Sequence, residues 1–228
     1  MVEIRQVIAP IDKRTLPFEQ NWLEFSTYRN TKGPIVGVDE VGRGALFGPV
    51  VAAAVILPDI NSLPELFTTK IKDSKKLSAS RRNQLANSIF DIAIDWKVGF
   101  ATTVEIDSFN ILQASLLAMK RAVLKLKVQP ALCLIDGNQP IKDLLLPQET
   151  IVKGDSRLLT IASASIVAKV WRDQLIIRLA QKYPMYDLVR NKGYGSQKHL
   201  LALQNYGSSR LHRKSFRPCQ IGQKLNRE

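Results

Sequence analysis

The chain has 228 residues, and its hydrophobic content of 45% is enough for one domain with a substantial core. Lys and Arg outnumber Asp and Glu by 33 to 20, so the net charge is +13, which favours a polyanionic partner. These basic residues do not form the clear pattern of a basic helix that lies on an anionic membrane. No apolar stretch reaches the roughly 18 residues of a membrane span, and no secretory pattern is present, so we expect a soluble, cytoplasmic protein without a membrane partner.

The first half of the chain predicts three strands and two helices. Apolar runs at 34–41 and 49–58 predict two strands that a short connection makes antiparallel neighbours, and DWKVGFATT predicts a third. The segment 78–93 has a serine cap and apolar residues at helical spacing. A longer series at spacings of three and four predicts one continuous helix. Its members are Ile106, Phe109, Leu112, Leu116, Met119, Val123 and Leu126.

In the second half of the chain, two short apolar runs lead to acidic residues. PALCLIDGN contains Asp136 and ETIVKGD ends in Asp155, so both runs are predicted to be buried strands with an Asp at the C-terminal end. Residues 156–184 predict a long helix, whose small residues IASASIVA suit a close approach to a sheet. The cysteines, Cys133 and Cys219, share no disulfide or metal-binding motif and are expected to be free thiols. This order of elements predicts an α/β fold with a mixed sheet and helices on its faces.

Four acidic residues terminate apolar runs: Asp39, Glu40, Asp136 and Asp155. Carboxylates that converge repel one another and lose solvation, so such a cluster needs a cation. Mg²⁺ prefers oxygen ligands, whereas the chain has no Cys or His set that would suit zinc. Two ions about 4 Å apart can activate a water and stabilise the leaving oxygen of a phosphodiester. Together with the basic charge, the pattern indicates a metal-dependent nuclease.

The same residues also have simpler interpretations. A single Asp at a strand end beside Gly is more often a turn former than a metal ligand. The glycines of GVDEVGRG could instead form a phosphate-binding loop. Their spacing fits neither GxGxxG nor GxxxxGK[ST], and no helix with a Lys follows, which argues against that alternative.

Segments spread over nearly the whole chain after residue 33 resemble the type 2 ribonuclease H family, specifically bacterial ribonuclease HII. They are GVDEVGRG (37–44), KDSKKLS (72–78), LIDGN (134–138), IVKGDS (151–156), ASIVAKVWRD (164–173), KGYGS (192–196) and HRKSF (212–216). They occur in the order of the family, so chance is a poor explanation. One departure is Ala45, where the family usually has Pro, and it concerns the geometry of the turn more than the chemistry.

The resemblance implies an RNase H-like fold, with a mixed five-stranded sheet flanked by helices and a small helical C-terminal region. It implies metal-dependent endonucleolytic cleavage of the RNA in RNA–DNA hybrids, with Mg²⁺ or Mn²⁺ as the cofactor. It also implies incision on the 5′ side of a single ribonucleotide in duplex DNA, leaving 3′-hydroxyl and 5′-phosphate ends. These activities would serve ribonucleotide removal, a form of DNA repair, and primer degradation.

Residue by residue, the resemblance assigns the metal ligands to Asp39, Glu40, Asp136 and Asp155. It assigns contact with the ribose 2′-hydroxyl to Gly42, Arg43 and Gly44, and stacking on the sugar after the ribonucleotide to Tyr194. The predicted phosphate contacts are Lys72, Ser74, Lys75, Ser163, Lys169, Arg213 and Ser215. Asp173 is interpreted as structural or as the partner of a basic residue. For His212 a phosphate or structural role is preferred to a general base.

We expect three parts: an N-terminal extension (1–33) with a short aromatic patch, an RNase H-like catalytic domain (34–182), and a helical, basic substrate-binding region (183–228). The chain is expected to be a monomer or to associate weakly. Only a weak candidate for a sliding-clamp motif, formed by Gln220, Ile221 and Leu225, lies in the tail.

Two rival interpretations remain. The sister family ribonuclease HIII shares the acidic residues but differs in the motif that recognises the junction between RNA and DNA. It also normally carries a larger N-terminal substrate-binding domain. The GRG triplet, Tyr194 and the short preceding segment argue against it. A catalytically silent nucleic-acid-binding module is the other rival, but a pure binder of a polyanion gains nothing from clustered negative charge.

Overall fold

The computed structural model describes Tyr28 and residues 31–59, 62–63, 71 and 78–220. Its centre is a mixed five-stranded sheet, as the resemblance implies, and the strand order is β3-β2-β1-β4-β5. The strands are β1 (Ile35–Val41), β2 (Val50–Ile56), β3 (Asp95–Ala101), β4 (Leu132–Asp136) and β5 (Gln148–Ile151). The main helices are α1 (Ala79–Ile92), α2 (Thr103–Leu124) and α3 (Leu159–Ala180).

The sheet combines two pairing modes because its connections differ. The short connection between β1 and β2 produces an antiparallel pair, and β3 also runs antiparallel to β2. In contrast, β4 lies parallel to β1, and β5 lies parallel to β4. The central position of β1, between β2 and β4, brings the C-terminal ends of β1 and β4 side by side, which is where the acidic residues occur.

Helices cover both faces of this sheet and form two apolar layers. On one face, Val36 and Val38 of β1 pack with Ala52 and Ala54 of β2 against α2. On the other face, β2 side chains pack against α1 and α3. A Cβ built on Gly37 would lie 2.3 Å from the backbone of Thr160, so only glycine allows α3 to approach β1 so closely. The small-residue segment of α3 therefore packs on the sheet as predicted.

The predicted continuous helix over 103–127 is wrong at one position. Asn110 has φ 70° and ψ 166°, which breaks the helical backbone inside α2. Its side-chain oxygen accepts hydrogen bonds from the backbone N–H groups of Leu112 and Gln113, so Asn110 caps a second helical segment. The change of direction leaves Phe109, predicted to be on the buried face, 54% exposed. Local capping by the asparagine side chain thus overrides the apolar spacing.

The C-terminal part of the chain forms a separate small cluster of short helices. It contains a 3₁₀ turn (Pro184–Tyr186), α4 (Leu188–Asn191), α5 (Gln197–Tyr206) and α6 (Arg217–Gln220). These elements pack on Leu46 and Phe47, which follow β1, and on the end of α3. Both cysteines, Cys133 and Cys219, are buried and free in the structure. Within the described part of the chain, no helix is both long and apolar enough to cross a bilayer.

Candidate active site

Asp39 and Glu40 lie side by side near the end of β1, where the two side chains belong to opposite faces of the strand. Asp39 is only 5% exposed, and its Oδ1 accepts a hydrogen bond of 2.7 Å from the backbone N–H of Glu40. The hydroxyl of Ser165, on α3, also hydrogen-bonds to the Asp39 carboxyl group. Burial, together with the negative charges of Glu40 and Asp136, raises the pKa of Asp39 well above its ordinary value.

Asp136 is the last residue of β4 and is held by the loop that follows β5. Its Oδ1 accepts hydrogen bonds from the backbone N–H groups of Gly154, at 2.7 Å, and Asp155, at 3.4 Å. The prediction that Asp155 ends a strand is wrong: β5 ends at Ile151, and Asp155 lies in a 3₁₀ turn (Gly154–Ser156). Lys153, with φ 56°, turns the backbone sharply, so that the turn, rather than the strand, brings Asp155 to Asp136.

The mutual repulsion of these acidic side chains indicates a site that a bound cation would stabilise. Burial raises the pKa of Glu40, and the neighbouring Arg43 guanidinium, 3.1 Å from the Glu40 carboxylate, only partly opposes that effect. Asp136 adds further repulsion to both Asp39 and Glu40. The four predicted acidic residues therefore form one neighbourhood, with three linked by charge and Asp155 linked through its backbone.

The donor chemistry of this neighbourhood fits a hard divalent ion, because every acidic ligand offers oxygen. A cation would also remove the repulsion that raises the pKa values of Asp39 and Glu40. As the side chains stand, no three Asp, Glu, His or Cys residues of the described ranges are arranged to hold an ion.

The Gly42–Arg43–Gly44 turn begins directly after β1, beside Glu40. Gly42 has φ 90°, and a Cβ there would lie 2.2 Å from Nε of Arg172, so glycine is required. No atom lies within 4 Å of a Cβ built on Gly44, and Arg43 is exposed. One side of the turn is therefore tightly packed and the other side is open to a ligand.

Tyr194 lies next to this turn although it is far away in sequence. It forms an isolated antiparallel bridge with Ala45, and Gly193 O accepts hydrogen bonds from the backbone N–H groups of Leu46 and Phe47. Lys169 Nζ and Arg172 Cζ, both on α3, lie 5.6 and 5.5 Å from the centre of the tyrosine ring. Ala45 is fully buried in this contact.

Two predicted phosphate contacts are fully buried in the structure. Ser163 donates a hydrogen bond of 2.8 Å to Leu159 O within α3. Arg213 donates to the carbonyl oxygens of Arg43, at 2.7 Å, and Gly48, at 3.1 Å. The structure therefore places Arg213 underneath the glycine turn and Ser163 inside the helix packing, and neither reaches the surface.

The other predicted phosphate contacts have different surroundings. Lys169 forms an ion pair of 2.9 Å with Asp173, which agrees with the interpretation of Asp173 as a partner of a basic residue. Ser215 is exposed, and its hydroxyl donates to Asp107 Oδ1 at 2.6 Å. Lys72, Ser74 and Lys75 lie outside the described residues, as do Phe18, Trp22 and Phe25 of the aromatic patch, and Ile221 and Leu225 of the tail.

Sequence reasoning missed several residues that support this site. Arg172 is fully buried and donates to the carbonyl oxygens of Phe47, Pro49 and Lys192, which ties the glycine turn to the Tyr194 loop. A basic residue on the buried face of α3, directly before Asp173, was the available signal. Ser165 was missed because a serine in a small-residue helix segment is ordinary.

The chain is similar to known proteins over most of its length. The ribonuclease HII family model matches residues 36–219. Ribonuclease HII of Nostoc sp. (strain PCC 7120) is 69% identical over 210 residues, which cover 90% of this chain and 93% of that protein. The crystal structure of ribonuclease H2 from Pyrococcus horikoshii OT3 has a TM-score of 0.72 at 27% identity, covering 86% of this chain and 100% of that one.

A more distant structure shares the fold alone. Bst-RNase HIII in complex with Mn²⁺ has a TM-score of 0.66 at 18% identity, and the match covers 85% of this chain and 70% of that one. The family match and the close relatives, rather than this fold similarity, decide between the two sister families. The chain belongs to the ribonuclease HII family, the divalent-metal-dependent endoribonucleases of the RNase H type that act on RNA–DNA hybrids.

Proposed function

We propose that the protein cuts the RNA strand of RNA–DNA hybrids and also cuts on the 5′ side of a single ribonucleotide in duplex DNA. Both cuts leave 3′-hydroxyl and 5′-phosphate ends. The observation that carries this proposal is the buried acidic neighbourhood of Asp39, Glu40 and Asp136 beside an open glycine turn. Buried carboxylates that repel one another are stabilised by a bound cation. The net charge of +13 favours binding of a polyanion.

We propose that Asp39, Glu40, Asp136 and Asp155 hold Mg²⁺ or Mn²⁺. The bound ion supplies a Lewis acid that activates water and stabilises the leaving oxygen. The chain's own part is to keep the carboxylates oriented. The Gly154 N–H fixes Asp136, and Ser165 and the Glu40 N–H fix Asp39. Arg43 keeps a positive group next to Glu40, where a substrate phosphate would approach.

Recognition of the ribose is assigned to the glycine turn. The absence of any atom within 4 Å of a Cβ on Gly44 leaves room for a sugar against the backbone there, and a 2′-hydroxyl can hydrogen-bond to backbone groups. The Ala45 bridge, which holds Tyr194 beside this turn, supports the proposal that the tyrosine ring stacks on the next sugar. The two elements together would read the junction between a ribonucleotide and the following deoxyribonucleotide.

Phosphate binding is assigned to the exposed or half-buried basic side chains near the turn, Arg43 and Lys169, and to Lys72, Ser74 and Lys75. Arg213, which is fully buried, is reassigned to support of the glycine turn, and Ser163, also fully buried, to the internal packing of α3. Residues 183–228 are proposed to form a substrate-binding region, and residues 34–182 the catalytic domain. We further propose a cytoplasmic monomer that takes part in ribonucleotide removal and primer degradation.

The test uses an end-labelled DNA duplex with one internal ribonucleotide, incubated with Mg²⁺ or Mn²⁺ beside an all-DNA duplex. The wild-type protein should make a single cut 5′ to the ribonucleotide, and Asp136→Asn should make none. Asp143→Asn is a matched control, because the Asp143 side chain is 89% exposed and lies outside the acidic neighbourhood. If the wild-type protein binds the duplex and cuts it with neither metal, the silent binding module becomes the better account.

A further inference from the structure

The two histidines of the chain, His199 and His212, form a buried hydrogen-bonded pair. Their Nε2 atoms are 3.0 Å apart, although the residues are 13 positions apart in sequence. His199 lies in the first turn of α5, and His212 forms an isolated antiparallel β-bridge with Phe47. All four ring nitrogens have partners, as buried polar groups require.

The hydrogen bonds determine which nitrogen carries each proton. His212 Nδ1 is 3.0 Å from the backbone N–H of Ser209, which can only donate, so this Nδ1 must accept. A neutral His212 then carries its proton on Nε2 and donates to His199 Nε2. His199 therefore carries its proton on Nδ1, which donates to the carbonyl oxygen of Tyr194 at 2.9 Å.

A proton added to His199 Nε2 would face the Nε2–H of His212, and a proton added to His212 Nδ1 would face the backbone N–H of Ser209, in each case across 3.0 Å. Burial lowers the pKa of both imidazoles, and the pKa of His212 falls to about 3, so the neutral arrangement agrees with the surroundings. Tyr186 packs against both rings, and Phe47 packs against His212. The pair is thus a directional line from Ser209 through two rings to Tyr194.

This line connects the two elements assigned to junction reading. The carbonyl oxygen of Tyr194 receives the last hydrogen bond, and Arg213, adjacent to His212, donates to the carbonyl oxygen of Arg43 in the glycine turn. A shift of either histidine would therefore move the tyrosine relative to the turn. Neither imidazole is exposed, so both would act through Tyr194 rather than by contact with substrate.

We propose that His199 and His212 are positioning residues whose directional hydrogen bonds hold Tyr194 in register with the glycine turn, and so set the preference for ribonucleotide–deoxyribonucleotide junctions. This inference rests on the proposed junction-reading function of Tyr194. The histidine pair is expected to change the ratio of activity on the single-ribonucleotide duplex to activity on the RNA–DNA hybrid. The carboxylates, in contrast, determine the rate on both substrates.

The decisive variants replace His199 with residues whose amide group takes the place of one ring nitrogen or the other. Asn can place an amide N–H where Nδ1 lies and keep the bond to Tyr194, whereas Gln reaches towards His212 and loses that bond. The measured quantity is kcat/KM on the single-ribonucleotide duplex divided by kcat/KM on an all-RNA hybrid. We expect His199→Gln and His199→Ala to lower this ratio about tenfold, which is the usual effect of losing one hydrogen bond. The His199→Asn variant should keep most of the wild-type ratio.

Two controls separate positioning from general stability. Tyr186→Phe removes a hydroxyl that donates to Gly207 in the same cluster but outside the line to Tyr194, so the ratio should not change. Tyr194→Ala defines the ratio expected when junction reading is lost. If His199→Gln and His199→Asn lower both activities equally, in proportion to their loss of thermal stability, the pair is only structural and the proposal is overturned.

A second measurement does not depend on activity. Because the chain contains only two histidines, long-range ¹H–¹⁵N NMR shows just two imidazole rings, and the His199→Asn variant assigns them. We expect protons on His212 Nε2 and His199 Nδ1, and the opposite tautomers or a charged ring at neutral pH would overturn the proposal. If the wild-type protein cuts hybrids but never the single-ribonucleotide duplex, the proposed function and the junction role fail together, while these spectra still decide the hydrogen-bonded pair.

Discussion

Gly42 and Gly44 are two residues apart but are under different constraints. A methyl group on Gly42 would meet Arg172, and its φ of 90° is unfavourable for any side chain, whereas Gly44 has free space. We expect Gly42→Ala to lower the free energy of unfolding by about 1–3 kcal/mol, since it combines backbone strain with displacement of Arg172. Urea denaturation measures this change.

The matched variant Gly44→Ala should leave the free energy of unfolding within about 0.5 kcal/mol of wild type. Its effect should instead be a higher KM on substrates with a ribonucleotide, because the added methyl group occupies the space assigned to the ribose. Equal destabilisation by the two substitutions would contradict this distinction.

Ser165 acts on the acidic neighbourhood through Asp39. Its hydrogen bond stabilises the ionised carboxylate and opposes the burial that raises the pKa of Asp39. Ser165→Ala should therefore weaken Mn²⁺ binding by about tenfold, the usual effect of removing a group that orients a metal ligand. Isothermal titration with Mn²⁺ measures the affinity. Ser163→Ala, two positions away on the same helix, should leave the affinity unchanged, since the Ser163 hydroxyl donates to Leu159 O within the helix.

At the scale of elements, α2 depends on one glutamate. Glu105 forms a capping box with Thr102, and its carboxylate also pairs with Arg121, with Nη2 and Oε1 separated by 2.6 Å. Arg121 in turn donates to Phe100 O of β3. These contacts fix both ends of the interrupted helix to the sheet, which explains how α2 packs in spite of the break at Asn110.

Glu105→Gln should lower the free energy of unfolding by about 1–2 kcal/mol at neutral pH, from the loss of the cap and of the partly exposed ion pair. The Arg121 guanidinium lowers the pKa of Glu105 from 4.5 to about 2. This contribution is therefore fully present above pH 4.5 and is lost as the pH falls towards 2. Denaturation of both proteins across this range should show the difference shrinking, whereas Glu149→Gln, an exposed residue on β5, should show no difference at neutral pH.

At the scale of the whole molecule, the histidine pair couples stability to pH. Both rings have a pKa below the ordinary 6.5 when folded, so the unfolded chain binds more protons below that pH. The stabilising contribution is fully present above pH 6.5 and is lost as the pH falls. The slope is up to ~1.4 kcal/mol per pH unit for each ring that stays neutral.

The measurement is urea denaturation at several pH values between neutral and about pH 5. The wild-type protein should lose more stability on acidification than a variant with both His199→Asn and His212→Asn. Asp39 and Glu40, whose pKa values are raised, act in the opposite direction, and the comparison between the two proteins cancels their effect. Parallel pH profiles would show that the rings bind protons as readily in the folded protein as in the unfolded chain, which would contradict the lowered pKa values.

Local sequence patterns were enough to predict the strands of the sheet, most of the helices and the four candidate acidic residues. These features are encoded locally, by apolar runs, by helical spacing and by an acidic residue at or just beyond a strand end. Where a local signal was missed, as at Asn110, a side-chain cap overrode the spacing. The turn that carries Asp155 also differs from prediction, because a left-handed Lys153 has no clear signal in sequence.

Long-range packing, in contrast, determines how the glycine turn and the Tyr194 loop are held together. Arg172 bonds to the carbonyl oxygen of Phe47 across 125 positions, Arg213 to that of Arg43 across 170, and His199 to His212 across 13. The physical reason is that these bonds satisfy buried polar groups whose partners come from separate segments. Such partners are determined by packing of the C-terminal cluster on the end of α3, and no local pattern records them.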